Sequence, residues 1–351
     1  MKPFDYVRPA TVTEAVAAAA QPGAVYLAAG TNLLDLMKGG VSRPDRLVDV
    51  THLDGLDGIE TLPDGSLRIG ALVSNADLAH DPAFAKSYPA VAEALLSGAS
   101  AQLRNAATVG GNLLQRTRCA YFYDTASRCN KREPGSGCDA REGENRTHAV
   151  LGWSESCIAT HPSDFCVPLV ALDAMVEIEG RSGRREIALD ELHRLPGDTP
   201  ARESALEPGD LIVAVRLPPA ARAFAAHARY LKVRERTSYA FAVVSAAAAL
   251  RIENGKIADA RLALGGVAAK PWRARAAEDV LRGVAPTADV FQQAASRALT
   301  DAKPSGDNVF KIELARRIVM RALRLAAAGT PARIPALPAS PFASTSGAVH
   351  V

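Results

Sequence analysis

All the cysteines of the chain lie between residues 119 and 166, in a segment rich in Gly, Arg, Asn and Ser. They are Cys119, Cys129, Cys138, Cys157 and Cys166. A free cysteine is usually a small buried hydrophobe, whereas five of them in a polar segment that packs poorly indicate a set of ligands. We therefore expect a metal centre in this segment.

The spacing C-x9-C-x8-C-x18-C-x8-C contains no C-x-x-C pair. Iron-sulfur clusters need about four thiolates, whereas structural zinc sites typically place paired ligands two to four residues apart. The pattern therefore favours a [4Fe-4S] cluster. A zinc site completed by His148 or His161 stays open, as do disulfides or free thiols. Disulfides need an oxidising compartment, and the N-terminal MKPFDYVRPATV has no apolar stretch typical of a secretory signal.

Four cysteines are expected to be the ligands because they stand in polar loop sequence. These are Cys119, Cys129, Cys138 and Cys157. Cys166 instead begins the apolar run CVPLVALDAMVEI, which is typical of a buried core. We expect Cys166 to be a structural thiol.

A first glycine turn, Ala29-Gly30-Thr31-Asn32, follows an expected strand at 25–28 and precedes a helix at 33–38 and a strand at 46–50. A glycine turn between a strand and a helix points backbone N–H groups outward, which suits a phosphate or pyrophosphate. A second glycine turn is expected at Thr108, Gly110, Gly111 and Asn112. Each turn alone is also consistent with a plain tight turn, but the pair favours a cofactor with two phosphates.

The remaining pattern predicts an α+β protein. Strands are expected at 67–71, 174–179, 185–188 and 210–217, a boundary near 218–222, and then strands at 230–233, 241–252 and 257–264. The sequence Glu253-Asn254-Gly255-Lys256 is a strong hairpin signal, and three helices follow. Asp164 is either the cap of the apolar helix that begins near Cys166 or a residue that faces a cofactor.

The composition is ordinary for a globular chain of 351 residues, with 48% hydrophobic and 23% charged residues. A formal net charge of +3 gives no reason to expect nucleic acid as a partner. The longest apolar runs are far shorter than the ~20 residues that span a bilayer, so we expect no membrane insertion.

Several motifs together resemble a known family. They are YLAAGTNLLDLMKGG, TVGGNLL, HPSD, YLKVRERTSYAFAVVSAAAAL and LGGVAAKPWRA. In this order they resemble the FAD-binding medium subunit of molybdenum hydroxylases, the xanthine dehydrogenase and carbon monoxide dehydrogenase group. The cysteine segment, with CNKREPGSGC, GENRTHAVLG and CIATHPSD, is similar to the flavin subunits of bacterial periplasmic aldehyde oxidoreductases. Hydroxybenzoyl-CoA reductase has a comparable insert with different cysteine spacing.

The resemblance implies a two-part FAD-binding domain of the vanillyl-alcohol-oxidase type at 1–222, with an insert at about 115–165 that holds a [4Fe-4S] cluster beside FAD. A smaller α+β domain at 223–330, with an antiparallel sheet and helices, and an extended or disordered tail at 331–351 complete the expected organisation.

The resemblance also implies roles for individual residues. Backbone amides of the first turn would wrap the FAD pyrophosphate, namely those of Leu27, Ala28, Ala29, Gly30, Thr31, Asn32, Leu33 and Leu34. The second turn would hold the flavin side, and Asp164 would meet the ribityl or phosphate region. Lys232 would lie against the isoalloxazine, with an exposed strand position as its plain alternative.

By this resemblance the chain is an electron-relay subunit. A large molybdenum-cofactor subunit would oxidise aldehydes, a small [2Fe-2S] subunit would pass electrons to FAD, and an external acceptor would receive them. The complex would be periplasmic by co-export with a signal-bearing partner, with a cytoplasmic location as the alternative. Rival interpretations are the flavin subunit of another molybdenum hydroxylase, a stand-alone FAD oxidase and a zinc-bearing scaffold.

Overall fold

The computed structural model describes residues 1–332, so most of the predicted tail lies outside the described residues. The first unit is a small parallel sheet with two helices. Its elements are β1 (Asp5–Val7), α1 (Val12–Ala19), β2 (Ala24–Leu27), α2 (Leu33–Lys38) and β3 (Arg46–Asp49). Both β1 and β2 pair in parallel with β3, as the predicted strand, turn, helix and strand order requires.

The second unit is a five-stranded antiparallel sheet in the order β4-β5-β8-β6-β7, covered by short helices. It begins with β4 (Ile59–Thr61), β5 (Leu67–Gly70), α3 (Asn75–His80), α4 (Pro82–Ser87), α5 (Pro89–Ser97), α6 (Ala101–Ala106), α7 (Val109–Leu113) and α8 (Ala120–Tyr123). It ends with α9 (Cys166–Ala171), β6 (Met175–Gly180), β7 (Gly183–Ala188), α10 (Leu189–Leu192) and β8 (Leu211–Leu217). The cysteine segment between α8 and α9 contains one short 3-10 helix, Asp139–Arg141.

The third unit follows a 3-10 helix at Pro219–His227. Its elements are β9 (Ala228–Val233), β10 (Val244–Glu253), β11 (Lys256–Gly265), β12 (Trp272–Arg273), α11 (Arg275–Leu281), α12 (Ala288–Ala298) and α13 (Phe310–Ala327). The four strands form an antiparallel sheet in the order β12-β11-β10-β9. Asn254 and Gly255 have φ of 51° and 74° at the β10–β11 turn, which is the geometry of the predicted Asn-Gly hairpin.

Strand β10 shows why the run of alanines at 246–249 belongs in a strand. Ala246 and Ala248 face the helices α11–α13, while Ala247 and Ala249 pack into the core beneath the five-stranded sheet. Because successive side chains point to opposite faces, this strand is buried on both sides, and small residues let both layers approach closely. The predicted α+β fold, with an antiparallel sheet followed by helices, is confirmed. Among residues 1–332, no helix combines the length and the apolar character needed to cross a membrane.

Candidate cofactor groove and cysteine centre

An elongated groove runs past both predicted glycine segments. It consists of two cavities of about 230 Å³ each, and residues Thr31, Asn32 and Gly111 line both. The first cavity has largely apolar walls, including Leu36 and Leu56. The second ends among charged and aromatic side chains. The groove therefore suits a long ligand whose two ends differ in polarity.

The first glycine turn supplies hydrogen-bond donors to this groove. Gly30 has φ +73°, a conformation that glycine adopts without strain. The N–H groups of Gly30, Thr31 and Asn32 make no backbone hydrogen bond within the described chain. Because unpaired backbone donors are costly once they are removed from water, this turn is suited to an anionic ligand.

The second glycine segment is not a turn, as was expected, but the short helix α7. Thr108 caps this helix, and its hydroxyl accepts from the Gly111 N–H at 3.2 Å. The Gly110 N–H donates to the Ala71 carbonyl at 2.8 Å. A Cβ at Gly110 would lie 3.0 Å from the Ala71 Cβ. These glycines therefore allow close packing and form a low wall of the groove, while the N–H groups of Gly110 and Gly111 are already used.

Asp164 and Lys232 form a buried ion pair at the second end of the groove. Lys232 Nζ donates to Asp164 Oδ2 at 2.7 Å and to the Ser97 carbonyl at 3.1 Å, and both charged side chains are less than a tenth exposed. The plain alternative of an exposed lysine is therefore wrong. The Tyr230 hydroxyl donates to Asp164 Oδ1 at 2.5 Å. Burial and the Asp164 carboxylate raise the Tyr230 pKa well above its ordinary value.

The cap alternative for Asp164 is also wrong, because the hydroxyl of Ser163 accepts from the Cys166 N–H at 3.2 Å at the start of α9. The carboxylate of Asp164 is instead engaged with Tyr230 and Lys232. It lines the groove, where a bound ligand would meet it.

The structure brings most of the predicted FAD residues together along the groove. Those that line it are Ala28, Ala29, Gly30, Thr31, Asn32, Leu33, Thr108, Gly110, Gly111, Asn112, Asp164 and Lys232. The other two predicted residues, Leu27 and Leu34, do not line it, and their side chains lie against Gly30.

Several residues at the second end of the groove escaped prediction from sequence. Arg104, Tyr239 and Phe241 line the second cavity, and Tyr230 supports Asp164 from behind. Phe241 was assigned to a strand that in fact begins at Val244. The remaining signal in the sequence was the cluster Arg234-Glu235-Arg236 before Tyr239, which marks an exposed loop.

The four predicted cysteine ligands lie on three loops that side chains hold together. Cys129 and Cys138 face each other as an antiparallel bridge. The amide of Asn130 accepts from the Gly135 and Gly137 N–H groups and donates to the Ser156 carbonyl, which precedes Cys157. Arg132 donates to the carbonyls of Tyr121 and Phe122 in α8. These contacts bring the loops of Cys119, Cys129, Cys138 and Cys157 to one place.

Burial and nearby backbone N–H groups have opposite effects on the pKa of three of these cysteines, and the Ala159 N–H donates to the Cys157 sulfur at 3.5 Å. Burial raises the pKa of Cys119 to about 12, while the N–H groups of Phe122 and Tyr121 lower it. Burial also raises the pKa of Cys138, while the N–H groups of Ala140, Ile158 and Arg141 lower it. For Cys157, burial raises the pKa and the Ala159 N–H lowers it. A neutral thiol needs no such donors, whereas a metal-bound thiolate does.

The predicted cysteine ligands are spread more widely than a single-ion site requires. Tetrahedral zinc with Zn–S bonds of about 2.3 Å places its sulfurs roughly 3.8 Å apart. Among the described residues, the one group of three or more His, Cys, Asp or Glu side chains whose ligand atoms all lie within 4.8 Å is His161, Cys166 and His193. The four cysteines therefore do not match closed zinc geometry, and they are free rather than disulfide-bonded.

The His161, Cys166 and His193 group lies beneath α7 and has its own hydrogen bonds. His193 Nε2 contacts the Leu113 carbonyl at 2.8 Å, and the Ser163 N–H donates to His161 Nδ1 at 3.3 Å. As predicted, Cys166 is fully buried. The group contacts the end of α7 through the Leu113 carbonyl.

Comparison with known proteins identifies the family. Residues 2–220 match the FAD binding domain in molybdopterin dehydrogenase, and residues 229–326 match the CO dehydrogenase flavoprotein C-terminal domain. The aldehyde oxidoreductase FAD-binding subunit PaoB of Escherichia coli (strain K12) is 50% identical over 326 residues, which cover 92% of this chain and 98% of PaoB.

More distant relatives also align with this chain over nearly its whole length. The carbon monoxide dehydrogenase medium chain of Hydrogenophaga pseudoflava is 28% identical over 92% of this chain and 96% of its own length. A solved structure of carbon monoxide dehydrogenase from Hydrogenophaga pseudoflava superposes with a TM-score of 0.73 at 28% identity, covering 93% of this chain and 99% of that one. The chain, an oxidoreductase subunit, therefore belongs to the FAD-binding medium subunits of the molybdenum hydroxylase family.

Proposed function

We propose that this chain is the FAD and [4Fe-4S] electron-transfer subunit of a molybdenum-dependent aldehyde oxidoreductase. The observation that carries the proposal is the glycine-lined groove, with free amides at its turn, beside four cysteines whose loops meet. The 50% identity to PaoB, an aldehyde oxidoreductase subunit, supports the choice of aldehydes as the substrate class.

FAD fits the groove by the chemistry of its walls. The free N–H groups of Gly30, Thr31 and Asn32 would hold the pyrophosphate. Backbone donors can bind such an anion without a cationic side chain in the turn. The apolar walls of the first cavity and the low wall of α7 would exclude water from a flat, largely apolar ligand. FAD accepts two electrons and passes them on, and an iron-sulfur cluster carries them singly.

Lys232 and Asp164 would set the charge at the flavin end of the groove. The ammonium of Lys232 is fixed by Asp164 and Ser97, so its positive charge stands at one place whether or not the groove is filled. A fixed cation favours added negative charge nearby. Tyr230 holds the Asp164 carboxylate, and through it the lysine.

The [4Fe-4S] cluster is the finer part of the proposal. Cys119, Cys129, Cys138 and Cys157 would be its ligands, because their loops meet at one place and the Ala159 N–H donates to the Cys157 sulfur at 3.5 Å. Their separation beyond that of a closed zinc site also supports a cluster, in which each thiolate binds a different iron atom.

A molybdenum-cofactor large subunit and a [2Fe-2S] small subunit are the proposed partners, with an external acceptor that takes electrons from FAD. We also propose that the complex is periplasmic and is exported with a signal-bearing partner, on the basis of the resemblance to periplasmic aldehyde oxidoreductases. Cell fractionation tests the location. Recovery of the assembled complex from the cytosolic fraction alone would contradict it.

Aldehyde reduction of the flavin tests the function. The chain is prepared anaerobically alone and with its two partner subunits, and an aldehyde is added. We expect the flavin absorbance to bleach in the complex and to stay unchanged in the isolated chain. Bleaching by the isolated chain would instead indicate a stand-alone oxidase, and zinc without flavin would indicate a scaffold.

A further inference from the structure

His148 lies against one of the proposed cluster ligands. Its Nε2 is 3.2 Å from the Cys119 Sγ, and the residue is 6% exposed. His148 is one of the two histidines that the sequence offered as a zinc ligand. In the structure it contacts a cysteine sulfur instead of completing a tight ligand set.

The hydrogen-bond partners of the imidazole ring indicate which of its two nitrogens carries the proton. The other ring nitrogen, Nδ1, is buried and has no hydrogen-bond partner among the described residues. A proton on Nδ1 would leave a buried N–H unpaired and would turn the Nε2 lone pair toward the sulfur. A proton on Nε2 gives the sulfur a donor and leaves only a lone pair without a partner, which costs less.

The backbone of His148 is held by side chains of the third unit and by the neighbouring Asn145. The His148 carbonyl accepts from Asn308 Nδ2 at 3.1 Å and from Lys311 Nζ at 2.7 Å, and its N–H donates to the Asn145 carbonyl at 2.9 Å. Asn308 and Lys311 are fully buried. The backbone of His148 therefore cannot shift easily, and the imidazole keeps its place beside the sulfur.

We infer that His148 sets the reduction potential of the iron-sulfur centre through its hydrogen bond to Cys119. The inference rests on the proposed [4Fe-4S] cluster. A donor to a ligand sulfur stabilises negative charge there, and the reduced cluster carries one more electron than the oxidised cluster. The bond therefore favours the reduced state and raises the potential. His148 acts through Cys119, so it is a positioning residue.

A redox titration followed by electron paramagnetic resonance tests this inference in the whole complex. His148→Leu and His148→Phe remove the donor, and His148→Gln keeps an N–H at the end of the side chain. His80→Leu, on the surface helix α3, is the matched control. We expect a lower cluster potential in the Leu and Phe variants with iron retained. The cluster potential of the Gln variant should be closer to that of the wild type, and the potential of the control should be unchanged.

The results separate the inference from the proposed function. Equal potentials in all iron-containing His148 variants would overturn the inference. Loss of iron from both donor-free variants would also overturn it, because His148 would then be needed for cluster assembly. A wild-type complex without an iron-sulfur signal would instead contradict the proposed function.

Discussion

The groove and the cysteine segment are built in opposite ways. The groove lies on two buried hydrophobic clusters and on paired strands, and its walls are backbone and packed side chains. The first part of the cysteine segment, residues 119–147, buries only three apolar side chains, those of Phe122, Cys129 and Ala140, and has little regular structure. Side chains such as Asn130 and Arg132 hold its loops.

This difference indicates where the stability of each region comes from. Burial of apolar surface stabilises the groove in the absence of any ligand. Residues 119–147 bury few apolar side chains to offset the entropy of ordering their loops, so we expect the fold of this part to depend on the bound metal centre. The following predictions test this contrast, from the largest expected effect to the smallest.

Loss of one proposed ligand should loosen the cysteine segment and spare the groove. In Cys129→Ser, we expect amide hydrogen exchange across residues 115–165 to become about 100-fold faster, equivalent to ~3 kcal/mol of local opening free energy. Exchange in β5 and β8 should not change. The control is Cys166→Ala, which removes a buried thiol outside the ligand set. Wild-type exchange in the Cys129 variant would show that the segment supports itself.

Removal of Lys232 should destabilise the groove end. Lys232→Met leaves the buried Asp164 carboxylate without its cation, and we expect a loss of about 3 kcal/mol in the free energy of unfolding. Lys2→Met, which breaks an exposed pair with Asp45, should cost below ~1 kcal/mol. Denaturant unfolding measures both. Adding Asp164→Asn to Lys232→Met should recover part of the loss, and no recovery would argue against the unpaired charge as the cause.

Acid should lower the free energy of unfolding through His193. Burial lowers the His193 pKa to about 4 in the folded chain, against 6.5 when it is free. Between these values the unfolded chain binds more protons than the folded one, so stability falls as the pH falls, by up to ~1.4 kcal/mol per pH unit. His193→Gln should reduce the slope of the free energy of unfolding against pH by this amount between pH 6.5 and 4. An unchanged slope in unfolding experiments would contradict the assignment.

A methyl group in the first turn should weaken FAD binding more than it weakens the fold. Gly30 and Gly40 have φ of +73° and +74°, so Gly30→Ala and Gly40→Ala each should cost about 1 kcal/mol in backbone strain. The new Cβ of Gly30→Ala would also lie 2.7 Å from the Leu34 Cδ1, whereas that of Gly40→Ala meets nothing within 4 Å. Only Gly30→Ala should lose FAD affinity in fluorescence titrations. Equal affinities would exclude this turn as the pyrophosphate site.

Local chemistry explains which parts of the fold could be predicted from the sequence. The first glycine turn and the Asn254-Gly255 hairpin depend on neighbouring residues, and both have the predicted form. The segment at Thr108 was predicted to be a turn because two adjacent glycines are typical of turns. Its helical form depends on packing of Gly110 against Ala71, nearly forty residues earlier, which no local pattern records.

The polar contacts of the sites could not be predicted for the same reason. Asp164 and Lys232 are 68 positions apart, and the packing of α5 against both β9 and α9 brings them together. The cysteine segment has no hydrophobic periodicity, so its residue types indicated a ligand set, whereas its loop shape could not be predicted. The hairpin from Cys129 to Cys138 depends on the side-chain amide of Asn130.

Cofactor analysis of the anaerobically purified chain tests the central claim most directly. Iron, acid-labile sulfide, zinc and flavin are measured for wild type, Cys138→Ser and Cys166→Ala, each co-produced with the partner subunits. We predict about four iron atoms and one FAD per wild-type chain, the same for Cys166→Ala, and loss of iron with flavin retained for Cys138→Ser. Iron retained in Cys138→Ser, or zinc in place of iron in wild type, would contradict the account.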